Sequence, residues 1–315
     1  MKVEKCNMEI GIVGRGAIGL SLLNHLQNRK EHNITLFIRP ETAVLDAIYF
    51  ATQEQNERVL QAQQLPISQA NVQKLELIIL PIKHYQVAAT LEQLSGILPS
   101  RTALLLLHNG MGTKELAQKL FPHNPILLGI TTDGVYQLSA NRFQHVATGK
   151  LEVGLATTID ALQDNALTDN REDQELATYW KPRLETLHPN MQWREDIEYA
   201  QYQKLAVNAV INPLTALKNC KNGELTLYPK EVAAVKNEVF DLYEFMQLPI
   251  DTFALSTQID EVISLTANNY SSMHQDYHFQ RETELDGILG FLIEKAEATG
   301  MQLPLINDMY MRLSR

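Results

Sequence analysis

The segment Met8-Glu-Ile-Gly-Ile-Val13 is β-rich and runs straight into Gly14-Arg15-Gly16-Ala17-Ile18-Gly19, after which Ala17 to Asn28 reads as a helix. A strand, a G-x-G-x-x-G turn and a helix in that order constrain the fold more than any other feature of the chain. Gly14 would make the tight turn and Gly16 would let backbone N–H groups approach a pyrophosphate. Gly19 would let the helix pack closely on the strand, with the helix N-terminus facing the anion. The motif by itself is short; its position between strand and helix is what gives it meaning.

The rest of the first half repeats the alternation. Strands are expected at Ile34 to Arg39, Leu75 to Ile82, Thr102 to His108 and Ile126 to Thr132, with helices at Tyr85 to Leu98 and Gly112 to Phe121. LELIILPI is almost continuously apolar, as a parallel strand covered on both faces should be. Phe143 to Val146 and Lys150 to Leu155 read as a hairpin that extends or closes the sheet. The stretch from Thr157 to Glu175 is polar and acidic and reads as a loop, leading to a helix near Asp173 to Leu187 interrupted by Pro182. Beyond about Glu195 only helical periods remain: Ile197 to Asn219, Lys230 to Met246, Asp251 to Ala267, Gln275 to Thr299 and a short tail helix. The expectation is an α/β protein: a doubly wound parallel sheet over residues 1–195, then an all-α domain over residues 196–315.

Composition removes several classes of function. The chain has 315 residues, 27 Lys plus Arg against 37 Asp plus Glu, and a formal net charge of −10. That balance disfavours non-specific nucleic-acid binding and supplies no polybasic membrane anchor, while leaving a small anionic ligand open. The two cysteines, Cys6 and Cys220, form no CxxC pair and fit reduced thiols better than a disulfide framework. The apolar runs are far shorter than a membrane span, and MKVEKCNMEIGIVG has no apolar leader segment, so the expected location is the cytoplasm.

Polar residues at strand ends and on one helix carry the chemistry. In a doubly wound sheet ligands sit beyond the carboxyl ends of the strands, which makes Lys83, after LELIILPI, and Asn109, after TALLLLH, candidates for the nicotinamide end. The second strand ends in Arg39, with no acid on the strand to hold a ribose 2′-hydroxyl. A guanidinium there suits a 2′-phosphate, hence NADP(H). In Lys204-Leu-Ala-Val-Asn208-Ala-Val-Ile-Asn212-Pro the polar groups recur every fourth residue and span a stripe of about 80°. Every other position from Leu205 to Ile211 is apolar, so a buried helix with a narrow polar face is expected, perturbed by Pro213 beside Asn212. Asn269, Ser271 and Ser272 offer a helix N-cap, and Glu284 is placed on the same long helix. His274 and His278 are spaced as a metal-binding pair, but no third ligand stands nearby and no metal is expected.

These blocks together resemble the ketopantoate reductase (2-dehydropantoate 2-reductase) family over nearly the whole chain. The resemblance rests on the glycine motif, Arg39, PIKHYQ with Lys83, LHNGMGT, KLAVNAVINPLTAL, NCKNGEL and NNYSSMHQD running on to Glu284. It implies a Rossmann domain followed by a helical one, with an active site in the cleft between them and NADPH as cofactor. By it the cofactor would meet Gly14, Arg15, Gly16, Ala17, Ile18, Gly19, Arg39, Lys83, Asn109, Val135 and Glu284. Lys204 would be the general acid. Asn109, Lys204, Asn208, Asn212, Asn222 and Ser272 would bind a small 2-oxo acid, in a monomer or homodimer with no nucleic-acid or membrane partner. Two features depart from the family: Asp133 stands where it commonly has His, and the acidic stretch around residues 160–175 is longer. A different NADPH-dependent 2-oxo acid reductase on the same scaffold, or a non-enzymatic NADP-binding sensor, are the alternatives; the latter has no use for a lysine stripe.

Overall fold

The apolar strands LIIL (β6, Leu77–Leu80) and ALLL (β7, Ala103–Leu106) are the centre of the first part of the protein, and every side chain in them is fully buried. Continuous burial on both faces is why these strands read as unbroken apolar runs rather than as alternation. The structure, a computed structural model, describes residues 7–27, 32–54, 56–156 and 171–314. Cys6, the end of the first helix at Asn28 and the acidic residues 157–170 lie outside them. The chain divides into two compact units, residues 1–108 with 113–198, and residues 109–112 with 199–315.

In the first unit β1 (Glu9–Val13) lies between β6 and β2 (Asn33–Ile38), all parallel. The remaining strands of this sheet are β5 (Gln63–Pro66), β8 (Ile126–Thr131), β11 (Leu151–Leu155) and β12 (Met191–Trp193). The spatial order of the eight is β12-β11-β8-β7-β6-β1-β2-β5, and β11 meets β8 antiparallel. The helices are α1 (Ala17–Gln27), α2 (Gln69–Val72), α3 (His84–Leu94), α4 (Lys114–Leu120) and α5 (Arg171–Leu184), the last running through Pro182 without interruption.

The expected hairpin of Phe143 to Val146 with Lys150 to Leu155 does not form. A separate four-stranded sheet, β4-β3-β10-β9, takes the first of these segments: β10 (Arg142–Ala147) pairs antiparallel with β9 (Gly134–Ser139) and parallel with β3 (Ile48–Ala51), next to β4 (Glu57–Leu60). Only Leu151–Leu155 joins the main sheet. The reason is burial: Phe143 and Phe50 pack together in the core, which draws β10 to β3 instead of to its neighbour in sequence.

The second unit is helical. Its helices are α6 (Ile197–Lys218, whose first two residues cluster with the first unit), a 3-10 turn at Asn222–Leu227, α7 (Pro229–Phe245) and α8 (Thr252–Leu265). After these come α9 (Ser272–His278), a π-helical turn at Asp286–Gly290, α10 (Phe291–Thr299) and α11 (Pro304–Leu313). Helix α6 continues through Pro213. No side chain from Gln201 to Ala216 is exposed, and packing on all sides outweighs the roughly 3 kcal/mol a proline costs inside a helix.

The long helix expected from Gln275 to Thr299 is broken. Helix α9 ends at His278, Gln280 takes a left-handed φ of 55°, and the chain turns until the π-helical segment begins. Asp276 holds the turn, its carbonyl accepting from Arg281 N at 2.7 Å and its carboxylate from Arg281 Nε at 2.9 Å. Glu284 therefore sits in a turn, not on the helix that carries Ser272.

Candidate functional site

The glycine turn has the features a pyrophosphate requires. Gly14 has φ +81° and donates its N–H to Phe37 O at 2.7 Å, tying the turn to the end of β2. A Cβ at Gly19 would come within 3.2 Å of both Ile12 and Pro81, so α1 lies close on the sheet. A Cβ at Gly16 would meet nothing within 4 Å, which leaves room in front of its backbone. The first turn of α1 contains no acid that would oppose an anion. These features fit a dinucleotide. Arg39 is exposed at the end of β2, and among the described residues its side chain has no hydrogen bond or ion pair.

Other expected cofactor residues have structural partners as well. The Arg15 guanidinium donates to Ala43 O at 2.8 Å and Gln64 Oε1 at 3.1 Å, and burial lowers its pKa. Ala17, Ile18 and Val135 pack against the core of the first unit, with Val135 opposite His145 in the β9–β10 ladder. Lys83 is half-buried as the residue that opens α3.

In the second unit Lys204, Asn208 and Asn212 lie one turn apart along α6. Asn212 is buried, and the other two are half-buried. The narrow polar stripe is thus real. Asn109 donates through Nδ2 to the buried Glu284 Oε2 at 3.2 Å. The backbone of residues 109–112 is held close by packing on the π-helical turn. Met111 N donates to Gly287 O at 2.9 Å, and a Cβ at Gly110 would fall 2.6 Å from the same oxygen. Gly110 thus serves a backbone-to-backbone contact, while Gly112 faces the Phe291 ring.

Asn222 is buried. Its N–H donates to Asn269 O at 2.9 Å and its Nδ2 to Thr266 Oγ1 at 2.8 Å, while Oδ1 has no donor among the described residues. The helix cap is Ser271, whose Oγ accepts from His274 N at 3.0 Å and meets Thr215 Oγ1 at 2.8 Å. Ser272 remains exposed at the first position of α9. The His274 and His278 rings lie 4.4 Å apart, with Nε2 of the first donating to Asn219 Oδ1 and Nε2 of the second to Ala216 O. Thr215, Thr266 and Ser271 were not legible as supports, because each acts across 44 residues or more. The sequence did mark Ser271 as a cap candidate.

A doubly wound sheet with an open glycine turn between its first strand and helix is a dinucleotide-binding fold, and the chain is a nicotinamide-dependent oxidoreductase. The profile described as "Ketopantoate reductase PanE/ApbA" matches residues 10–157, and its C-terminal counterpart matches residues 196–315. The chain belongs to the ketopantoate reductase family. It is 33% identical to the 2-dehydropantoate 2-reductase of Yersinia pestis, across 98% of this chain and 95% of that one. It is 36% identical to the 2-dehydropantoate 2-reductase of Shigella flexneri over 73% of this chain and 70% of the other. In fold it is similar to the crystal structure of a probable 2-dehydropantoate 2-reductase from Bacillus subtilis, with a TM-score of 0.77, 25% identity and coverage of 97% and 99%. A D-mandelate dehydrogenase solved with NADH and anilino(oxo)acetate shares the fold at a TM-score of 0.82, with 20% identity and 97% of each chain covered.

Proposed function

We propose that Lys204, Asn208, Asn212, Asn222, Ser272 and Asn109 carry in this chain the reaction of its family, the NADPH-dependent reduction of 2-dehydropantoate to pantoate. The observation that supports this most directly is the polar stripe on α6. A lysine and two asparagines recur every fourth residue on a helix with no exposed position between Gln201 and Ala216, so three polar groups share one side of a helix that is otherwise apolar from Leu205 to Ile211.

When bound, NADPH supplies the hydride that adds to C2 of the ketone. Negative charge then builds on the ketone oxygen, and the Lys204 ammonium stabilises it and donates the proton that completes the alcohol. Asn208 and Asn212 each donate and accept, which suits recognition of a hydroxyl. The Asn222 Oδ1, buried without a donor among the described residues, adds an acceptor for the same purpose. The exposed Ser272 hydroxyl serves the substrate carboxylate. Glu284, by accepting from Asn109 Nδ2, holds the Asn109 carboxamide in one orientation. The glycine turn and Arg39 would hold the cofactor, Arg39 by pairing with the 2′-phosphate, and Lys83 would serve the nicotinamide side.

No helix among the described residues is long and apolar enough to cross a membrane. A small-molecule enzyme of the cytoplasm, monomeric or homodimeric, is the setting this reading implies. The ketopantoate reductase of Staphylococcus aureus is described as dimeric.

The test is NADPH oxidation by the purified protein with 2-dehydropantoate and with 2-oxo acids lacking its terminal hydroxyl, for the wild type and for Lys204→Met. The variant keeps length and much of the volume and removes the charge and the donor. A fall in kcat of about 10²–10⁴-fold with NADPH affinity retained is expected; a variant within about tenfold of wild type would mean the proton comes from elsewhere. Equal turnover of the hydroxyl-free acids would favour another 2-oxo acid as substrate.

A further inference from the structure

One buried polar cluster of the first unit has no part in the mechanism above. The Asp133 side chain is 2% exposed, in the turn between β8 and β9. Its Oδ2 accepts from Ser21 Oγ on α1 at 2.8 Å and lies 3.7 Å from Nε2 of His25, one turn further along that helix. Its Oδ1 accepts from Gly149 N at 2.9 Å and from His188 Nε2 at 3.1 Å. A single carboxylate thus gathers α1, the turn after β10 and the turn after α5.

Two histidines and a carboxylate whose ligand atoms all lie within 4.8 Å of one another could hold a cation. The tautomer argues against it. His188 Nδ1 accepts from Asn190 N at 3.0 Å, so the proton of the neutral ring is on Nε2, the atom that faces Asp133. A metal at Nε2 would move that proton to Nδ1, directly against the Asn190 N–H. The cluster is held together by hydrogen bonds to one carboxylate.

We propose that Asp133 is a positioning residue for the cofactor: by fastening α1 through Ser21, it sets where the first turn of that helix presents its backbone N–H groups to the pyrophosphate. Ser21 is one turn beyond Ala17, the first residue of α1, so the anchor acts close to the end that meets the ligand. Burial raises the Asp133 pKa, but His188, His25, the Gly149 N–H and Ser21 more than offset this and hold it well below the usual carboxylate range, so the anchor is ionised at neutral pH. The proposal rests on the reading that Gly14–Gly19 takes the pyrophosphate.

Positioning and charge make opposite predictions. By charge alone, Asp133→Asn removes an anion from beside α1 and should tighten binding of a polyanion. Loss of the anchor should weaken it. The experiment measures NADPH Kd, the KM for ketopantoate, kcat at saturating NADPH and the unfolding midpoint for wild type, Asp133→Asn, Ser21→Ala and the double variant. Both single variants are expected to raise NADPH Kd by about three- to tenfold, the effect of one hydrogen bond. Ketopantoate KM and saturated kcat should stay within about twofold, and the double variant should be no weaker than Asp133→Asn, as expected for one shared contact.

Unchanged or tighter NADPH binding in the variants overturns the proposal, whatever happens to the midpoint. If Asp133→Asn does not fold, Ser21→Ala, which leaves the carboxylate in place, decides alone. A wild type that fails to bind NADPH sinks the reading of the glycine turn itself. Zinc ion alone raising the midpoint of wild type but not of Asp133→Asn would show a metal site in place of the anchor.

Discussion

Gly16 and Gly110 should respond to the same substitution in opposite ways. At Gly16 an alanine Cβ has open space for 4 Å around it and φ lies outside the left-handed region. The smaller entropy of the unfolded chain stabilises Gly16→Ala by about 0.4–1 kcal/mol. Gly16 is also the N-cap of α1, its carbonyl accepting from Leu20 N at 3.0 Å, and alanine is a poorer cap than glycine by up to about 1 kcal/mol. The two effects nearly cancel, so stability should hold. The methyl group occupies the space where a phosphate oxygen would approach. Losing one charge-assisted hydrogen bond costs about 1.5–3 kcal/mol, or about ten- to 150-fold in NADPH Kd.

At Gly110 the φ of +84° costs a residue with a Cβ about 1–2 kcal/mol. That Cβ would also stand 2.6 Å from Gly287 O and 2.7 Å from its carbonyl carbon, both backbone atoms with little freedom to yield. The turn at residues 109–112 must draw back, and the Met111 N to Gly287 O bond, worth about 0.5–1.5 kcal/mol, is lost. Gly110→Ala should therefore destabilise by about 2–3 kcal/mol, lowering Tm by several degrees at about 2–4 °C per kcal/mol. It should also reduce kcat/KM, since Asn109 moves with it. Melting curves and NADPH titrations on both variants decide the matter. Wild-type NADPH affinity in Gly16→Ala, or an unshifted midpoint in Gly110→Ala, would refute the reasoning for that position.

Two further outcomes follow from the first unit. Wild type should bind NADPH more tightly than NADH, and Arg39→Asp should weaken NADPH by about 1.5–3 kcal/mol; equal affinities of the wild type for the two cofactors would remove the case for Arg39. Burial lowers the His145 pKa despite the nearby Asp133 carboxylate, with His25 and His188 adding to the fall. The unfolded chain therefore binds the extra proton more readily, and stability should be full above about pH 6.5 and decline as the pH drops below it. Asp133, held low, adds a second loss below about pH 4. Urea melts between neutral and mildly acid pH should show the first decline in wild type and less of it in His145→Gln; an identical slope in both would exclude His145 as its source.

Much of this protein was determined by local sequence. The strand, glycine turn and helix at Met8 to Gln27 came out in place because each step is set by residues a few positions apart. The parallel strands were legible because burial on both faces leaves an unbroken apolar run. The α6 stripe was legible because a four-residue spacing places Lys204, Asn208 and Asn212 on one side of any helix, wherever that helix packs.

What only the tertiary structure decided depends on partners far apart in the chain. The second sheet was invisible because β3 and β10 are separated by 90 residues and meet through Phe50 and Phe143. The break after His278 carries no glycine or proline to announce it; Asp276 and Arg281 make it. Gly110 lies in a short polar turn after β7, and only the fold shows that it meets the Gly287 backbone. The cluster of Ser21, His25, Asp133 and His188 has no motif, since its members come from three separate turns and helices. Local spacing is enforced by backbone geometry and can be read from one segment. A buried carboxylate acquires its donors only when the segments around it have folded together, and no single stretch of sequence holds that information.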